Sequence, residues 1–372
     1  MTSNKRRILV TGANGFIAKN LIVQLQERGL FNVVTFTRGQ SVETLPALVA
    51  DVDGIIHLAG INRPQDPAEF AKGNTELTEA LCDAVRYTGR SLPIIIASSS
   101  QAALFNDYGR SKRAAEEAVE ALQRETGNPA IIFRLPGVFG KWCKPNYNSV
   151  VATFCYNIAH DLPIQMSSSG NVITLVYVDD VVAALVDALD RDAGLHSLKV
   201  APEYSITVGE LAVQVEAFKN CRSTLISENV GTGLSRALYA TYVSYLPTEK
   251  FVYDIPSHGD SRGVFVEMLK TPDAGQFSYF TAHPGITRGS HYHHTKTEKF
   301  LVIKGHARFG FRHIVTNESY QLETRGETPQ IVETVPGWTH DVTNIGGEEM
   351  VVMLWANEIF DHANPDTIAC KV

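Results

Sequence analysis

Cysteine is scarce in this chain. Among 372 residues there are five, Cys82, Cys143, Cys155, Cys221 and Cys370, scattered and without a Cys-x-x-Cys pair, which excludes a disulfide scaffold and suits a reduced cytoplasm. Long apolar runs are missing as well. The longest, such as Val181–Leu189, fall far short of the ~18–20 residues of a membrane-spanning helix, so no membrane partner is expected. Met1-Thr-Ser-Asn-Lys-Arg-Arg7 leads straight into Ile8–Val10 and a glycine turn, which reads as a buried strand rather than a signal peptide. Nor is there an excess of basic charge. Lys and Arg number 33 against 40 Asp and Glu, a net charge of −7, and nucleic acid is not an expected partner. No repeat or low-complexity tract is visible, and 44% hydrophobic with 20% charged residues is ordinary globular composition, which excludes collagen and disorder.

What is present is length, enough for two or three domains at ~100–200 residues each. Up to about residue 200, branched apolar runs alternate with helical patterns: Ile8–Val10, Val33–Phe36, Gly54–Leu58, Ile94–Ala97 and Ile131–Leu135. Such alternation predicts a doubly wound parallel sheet of Rossmann type, covered on both faces. In the first helix Ile17, Leu21 and Leu25 recur at i+4, and Gly29 supplies the stop. A last helix of this half is expected from Thr207, where Glu210 three residues on completes a capping box. After Tyr245 the pattern changes to short strands, Phe251–Tyr253, Val264–Leu269, Phe277–Thr281, Lys299–Ile303, Ala307–Ile314, Gln330–Val335 and Met350–Trp355. Nothing between them is helical for long, so an all-β sandwich or barrel is expected. Nine of the twelve histidines lie beyond residue 250. The expected domains are therefore 1–246 and 247–372.

Thr11-Gly-Ala-Asn-Gly-Phe-Ile-Ala18 follows a strand and opens a helix. Gly12 permits the tight turn, Gly15 lets backbone approach a pyrophosphate at the helix N-terminus, and Ala18 takes the helix-packing position. The acidic residue that would hold a ribose 2′-hydroxyl is absent after the second strand, where Thr35-Phe-Thr-Arg38 stands instead. Arg38 suits a 2′-phosphate, so NADPH is the expected cofactor, the bland alternative being an exposed arginine at a strand end. Tyr108 and Lys112 lie at i and i+4 on one helix face, a geometry in which a cation lowers the phenol pKa and lets it give a proton to a carbonyl receiving hydride. Ser98, Ser99 and Ser100 end an apolar strand nearby in sequence.

In the second half, Gly285-x5-His291-x-His293-x4-Glu298-x6-Gly305 is a spaced set. In strand geometry His291 and His293 point the same way, and a turn returns Glu298 beside them. His340, in Pro336-Gly-Trp-Thr-His340-Asp-Val-Thr-Asn344, can complete a nitrogen and oxygen set that suits zinc, with manganese, iron or nickel still open. The alternative is a histidine-rich surface turn. Lys299, on the opposite strand face from Glu298 unless a bulge intervenes, is a candidate base for proton removal or partner of an enolate, the bland alternative being a solvated lysine.

The N-terminal motifs resemble the extended short-chain dehydrogenase/reductases, particularly those acting on nucleotide sugars, over about residues 7–240. The carriers are Thr11–Ala18, Asp53-Gly-Ile-Ile-His-Leu-Ala-Gly60, Ser98–Ser100, Tyr108–Lys112, Arg134–Gly140 and Val176-Tyr-Val-Asp-Asp180. The resemblance implies Ser100 as hydrogen-bond donor to the carbonyl, with Ser99 open if the register slips, Tyr108 as acid and Lys112 at the nicotinamide ribose. It implies cofactor contacts from Gly12, Asn14, Gly15, Phe16 and Ile17, from Arg38, from Leu58, Ala59 and Gly60, and from Tyr108 and Lys112. Asn74 matches a helix position that helps organise such sites. Only seven residues separate Ser100 from Tyr108, so an open substrate pocket is expected. The C-terminal spacing resembles the cupin superfamily over about residues 250–372, although Gln330 replaces the leading glycine of the second motif. Asp260–Glu267 and Pro284–His291 also look like nucleotide-sugar 3,5-epimerases, in which the histidine matching His291 is a base without metal, so His291 has two claims on it. Together the halves resemble the bifunctional capsular-polysaccharide enzymes of the UDP-N-acetyl-L-fucosamine branch. That resemblance implies a UDP-sugar substrate and C3 epimerisation followed by C4 keto reduction; a homodimer is also expected. The competing expectations are a plain ketoreductase with a structural cupin and a non-enzymatic NADPH sensor.

Overall fold

The structure, a computed structural model, describes residues 5–166, 168–260, 263–266, 269, 275–358 and 363–372. Ser261, Arg262 and Glu267, within the epimerase-like segment Asp260–Glu267, lie outside the described residues. By packing, the chain forms two compact units, residues 1–149 with 173–205, and residues 150–172 with 206–372.

In the first unit β1 (Arg6–Thr11), β2 (Phe31–Phe36), β3 (Gly54–His57), β4 (Ile94–Ser99) and β5 (Ala130–Leu135) are the runs expected from the sequence. Behind them come β6 (Gly137–Phe139), β7 (Val172–Tyr177), β8 (Leu195–Leu198) and β9 (Tyr204–Thr207). The main sheet has the order β2-β1-β3-β4-β5-β8, parallel throughout. Its strands carry apolar residues on both faces because both faces are covered: Ile8, Leu9, Val10, Ile55, Ile56, Ile94 and Ile95 are all fully buried. One core joins Leu9, Ile55, Ile94 and Ile132 to α2 (Leu45–Ala50), α4 (Leu77–Thr88) and α5 (Asp107–Thr126). Away from that core, α1 (Phe16–Glu27) packs against α7 (Val178–Asp187). The short α3 (Ala68–Phe70) continues into a π-helical turn, Ala71–Glu76, before α4.

The second unit holds α6 (Val150–Ala159), α8 (Val208–Thr224) and α9 (Gly233–Val243), packed on one another. The capping box is present, since Glu210 N–H donates to Thr207 Oγ1 at 3.1 Å and Thr207 N–H to Glu210 Oε2 at 2.9 Å. Helices α6 and α9 were not anticipated from the sequence. The strands are β10 (Val252–Asp254), β11 (Ser257–Asp260), β12 (Gly263–Val266), β13 (Gln276–Ala282), β14 (Thr287–Tyr292) and β15 (Glu298–Lys304). They continue as β16 (His306–His313), β17 (Ser319–Arg325), β18 (Gln330–Glu333), β19 (Trp338–Asn344), β20 (Met350–Ala356) and β21 (Ile368–Ala369). They build two antiparallel five-stranded sheets, β10-β18-β15-β20-β13 and β17-β16-β19-β14-β21. This is the expected all-β half. Phe251 meets Phe311 at 5.4 Å and Trp338 at 5.2 Å between ring centres, and Phe300 meets Phe309 at 5.7 Å, so aromatic rings fill the core.

Lys299 departs from its expected surroundings. It is 1% exposed and bonds Glu333, which also accepts from Arg222 at 2.7 Å and from the Tyr239 hydroxyl at 2.8 Å. The Arg222 guanidinium lies 4.3 Å from the centre of the Tyr253 ring. Burial alone would lower the Lys299 pKa, but Glu333 outweighs it and holds the ammonium well above its ordinary range. One carboxylate thus pins α8 and α9 to the β15–β18 face. Removing one partner of such a buried pair costs about 3–5 kcal/mol. Glu333→Gln should therefore lower the thermal transition of the C-terminal unit far more than Lys304→Ala, which cuts the exposed 2.9 Å pair with Glu348. Equal losses in differential scanning calorimetry would contradict this.

Candidate functional site

At the end of β1 the chain turns at Gly12 with φ +68°, and a Cβ there would lie 2.7 Å from the Ala59 backbone. The first turn and the segment after β3 can approach this closely only through glycine. Thr11 Oγ1 stitches them: it accepts from the N–H of Leu58 and of Ala59, each at 3.2 Å, and gives its own proton to His57 Nδ1 at 2.7 Å. His57 Nε2 then donates to Thr78 Oγ1 at 3.0 Å, and Thr78 donates to the Asn74 carbonyl at 2.6 Å. Burial, reinforced by the charge of Lys112, lowers the His57 pKa to about 3 and keeps the ring neutral in this relay. Gly15 caps α1 with extended backbone, and Asn14 and Gly15 are exposed at that helix N-terminus beside half-buried Phe16 and Ile17. Free N–H groups and a positive helix end there fit a pyrophosphate. Arg38 is exposed just past β2 and makes no ion pair among the described residues.

Asn74 sits in the π-helical turn, donating to Ser111 Oγ at 2.9 Å and bonding the Ile61 backbone in both directions. Its Oδ1 would be 2.9 Å from a Cβ at Gly60. Lys112 donates to the Ala97 carbonyl at 2.7 Å, and burial lowers its pKa to about 8, which leaves it cationic at neutral pH. The Tyr108 phenol pKa is raised by burial, opposed by a hydrogen bond with the Ser99 side chain. Ser99 ends β4 and is buried, whereas Ser100 is exposed at the start of a 3-10 turn, Ser100–Ala103. Ser99 is thus the serine bonded to Tyr108, and Lys112 meets the same strand at Ala97, while Ser100 opens to solvent beside them. The short connection folds back onto the first turn of α5, where a Cβ at Gly109 would stand 2.3 Å from the Gln101 carbonyl. Below it, buried Glu116 takes a bidentate pair from Arg134 at 2.9 and 2.6 Å and the Ser98 hydroxyl at 2.5 Å, locking α5 to β4 and β5.

In the second unit, His291, His293, Glu298 and His340 converge, with one ligand atom from each within 4.8 Å of the others. The β14–β19 register shifts at Gly289, φ +98°, and Ser290, φ +60°, and this bulge sets His291 directly opposite His340. Ring centres stand 4.7 Å apart for His291 and His340 and 5.0 Å for His291 and His293. His293 Nδ1 donates to the Asp366 carbonyl. His293 Nε2 lies 3.1 Å from Glu298 Oε2. His340 Nε2 is 3.4 Å from the same oxygen, and both its ring nitrogens go without a hydrogen bond of ordinary geometry. Burial, then His340 and His293, lowers the His291 pKa to about 4, and burial lowers that of His340. Against the effect of burial, the histidines hold the Glu298 carboxyl well below its usual range. Imidazole nitrogens gathered around a carboxylate in a buried pocket are a donor set that fits a cation. Lys296 Nζ takes the other carboxylate oxygen at 3.1 Å. Lys299 projects into the Glu333 cluster instead and does not join this set, because it follows Glu298 on a regular strand. Asp366, Lys296 and His57 were not singled out from the sequence.

Residues 8–201 match the NAD dependent epimerase/dehydratase family, and residues 258–368 match the polysaccharide biosynthesis C-terminal domain. A Pseudomonas aeruginosa protein, UDP-2-acetamido-2,6-beta-L-arabino-hexul-4-ose reductase, is 60% identical over 367 residues, covering 98% of this chain and 99% of the relative. The capsular polysaccharide assembling protein CapF of Staphylococcus aureus superposes with a TM-score of 0.67 at 37% identity, over 98% of this chain and 100% of that one. UDP-glucuronic acid 4-epimerase of Bacillus cereus shares the fold alone, with a TM-score of 0.52 at 19% identity over 57% of this chain and 84% of its own. Among the described residues no helix is long and apolar enough to cross a membrane. With a glycine turn at one site, a buried cluster of imidazoles and carboxylate at the other, and a relative of 60% identity along nearly the whole chain, the protein is an enzyme of the NAD dependent epimerase/dehydratase family, in the branch that carries a polysaccharide biosynthesis C-terminal domain.

Proposed function

We propose that the chain is a bifunctional nucleotide-sugar enzyme. Its C-terminal site epimerises C3 of a UDP-2-acetamido-2,6-dideoxy-4-hexulose, and its N-terminal site reduces the C4 ketone with NADPH. The product is a UDP-2-acetamido-2,6-dideoxy-L-talose, precursor of UDP-N-acetyl-L-fucosamine. The observation that carries this reading is the 60% identity to a 4-hexulose reductase over 98% of the chain. The pairing is chemically sensible, since a C4 ketone acidifies the C3 proton and reduction then fixes the inverted centre.

In the N-terminal site the cofactor, when bound, supplies a hydride to C4. Tyr108 gives a proton to the C4 oxygen and Ser99 donates a hydrogen bond to it, while Lys112 keeps a positive charge beside the phenol. The turn Gly12–Ile17 with Leu58–Gly60 holds the cofactor, and unpaired Arg38 is the residue offered to a 2′-phosphate. In the C-terminal site His291, His293, Glu298 and His340 would hold a divalent metal, zinc first, which when bound supplies positive charge for an enolate oxygen at C4. Lys299, ion-paired elsewhere, has no part in this chemistry. Modules joined near residue 246 and a cytoplasmic homodimer complete the reading. The exposed Phe277, Tyr279 and Ile303 form an apolar face that a second copy would cover.

Tyr108→Phe should slow reduction by ~10²–10⁴-fold while hydrogen exchange at C3 continues, and Ser99→Ala should cost more than Ser100→Ala. Glu298→Gln should release the metal and stop exchange, with NADPH binding intact. A plain ketoreductase would show no C3 exchange in any of these proteins. Arg38→Ala should weaken NADPH and spare NADH by ~1.5–3 kcal/mol in titration calorimetry; equal losses would remove Arg38 from the cofactor site.

A further inference from the structure

The C-terminal segment ends in β21, which pairs with β14 at Ala369 opposite His291 and Ile368 opposite Tyr292. Cys370 N–H donates to the Ser290 carbonyl at 2.9 Å, and Thr339 Oγ1 to the Cys370 carbonyl at 2.6 Å. This register delivers Asp366 to the turn that connects His293 to Glu298. There its Oδ1 accepts from His294 N–H at 2.8 Å, and its Oδ2 from Thr295 N–H and Lys296 N–H, each at 2.7 Å, and from Thr295 Oγ1 at 3.0 Å. Three successive backbone N–H groups converging on one anion form a nest. The Asp366 carbonyl is at the same time the acceptor for His293 Nδ1–H.

We propose that Asp366 is a positioning residue of the C-terminal site, resting on the metal reading given above. Its carboxylate fixes the His294–Lys296 turn and thereby the separation of His293 from Glu298, and its carbonyl fixes the His293 tautomer with Nε2 as the free lone pair. No other described group bonds His293 Nδ1. Without the carboxylate the three N–H groups lose their common acceptor, the turn opens, and the carbonyl moves away from the ring. Outer partners of this kind typically carry ~10–100-fold in metal affinity. Lys296 acts in the same turn, its backbone N–H on Asp366 and its ammonium on Glu298 Oε1. A single residue 72 positions away from His294 thus orders two of the four ligands.

The test uses the full chain with Asp366→Ala, with Asp366→Asn as the milder variant that keeps the size and one oxygen acceptor, and Thr339→Val as a control that cuts only the tether to Cys370. Zinc affinity is read by competition with a chromophoric chelator, and the His293 tautomer by nitrogen-15 NMR of the imidazole. A loss of ~10–100-fold in zinc affinity in Asp366→Ala, a smaller loss in Asp366→Asn, a change of no more than about threefold in Thr339→Val and a mixed His293 tautomer without Asp366 are expected. Unchanged affinity and an unchanged tautomer in both Asp366 variants overturn the proposal. If the unsubstituted protein takes up no zinc, the metal reading fails. The tautomer then judges Asp366 separately: a shift away from Nδ1–H in the variants upholds its role on His293, and no shift ends it.

Discussion

A carboxylate 4% exposed, facing the ring nitrogens of His293 and His340, is the constraint on which the second half of the chain depends. Glu298 cannot stay ionised there without compensation, and it meets Lys296 at one oxygen and the two imidazoles at the other. The surrounding architecture serves to bring imidazole nitrogens to that carboxylate. The bulge at Gly289–Ser290 aligns His291 with His340, the N–H of Gly337 holds the His293 carbonyl at 3.0 Å, and the Asp366 nest shapes the intervening turn. Gly289, with φ +98° and a would-be Cβ only 3.0 Å from the His340 carbonyl, is what lets the two strands meet this closely.

The first site is organised by a different device, a directional chain of hydrogen bonds from the Leu58 and Ala59 N–H groups through Thr11, His57 and Thr78 to Asn74. Each proton has one available acceptor, so the histidine tautomer is determined without any charge. The glycine turn that would hold a cofactor and the π-helical turn bearing Asn74 are therefore parts of one rigid unit. Glu116 does comparable work beneath Tyr108 and Lys112 by clamping α5 to the strands that end in Ser99 and Leu135.

Much of this was legible in the residues because it depends on local spacing. The turn Thr11–Ala18, the i,i+4 relation of Tyr108 and Lys112, the Thr207–Glu210 box and the His291, His293, Glu298 set all lie within a few residues of chain. Strands β14 and β19 were not among the expected strand segments, although His291 was read in strand geometry, since neither carries a plain apolar run. Strand β17 escaped because it is an edge. Ser99 and Ser100 differ in setting only once the end of β4 is located, Ser99 closing the strand and Ser100 opening the turn after it. Lys299 looked solvated, and its burial follows from Arg222, Tyr239 and Glu333, none of which is near it in sequence. Asp366 left no signal of its own, because an acidic residue near a C-terminus acquires meaning only once β21 is paired with β14.

In the proposed function the two sites act in succession on one sugar, with the C3 proton removed before the C4 ketone is reduced. The most direct measurement is the reaction of the unsubstituted enzyme with a UDP-2-acetamido-2,6-dideoxy-4-hexulose and NADPH in D₂O, with the reduced sugar analysed by NMR and mass spectrometry. A product carrying one deuterium at C3 with inverted configuration there is the predicted result. A C4-reduced product with hydrogen and the original configuration at C3 would contradict it.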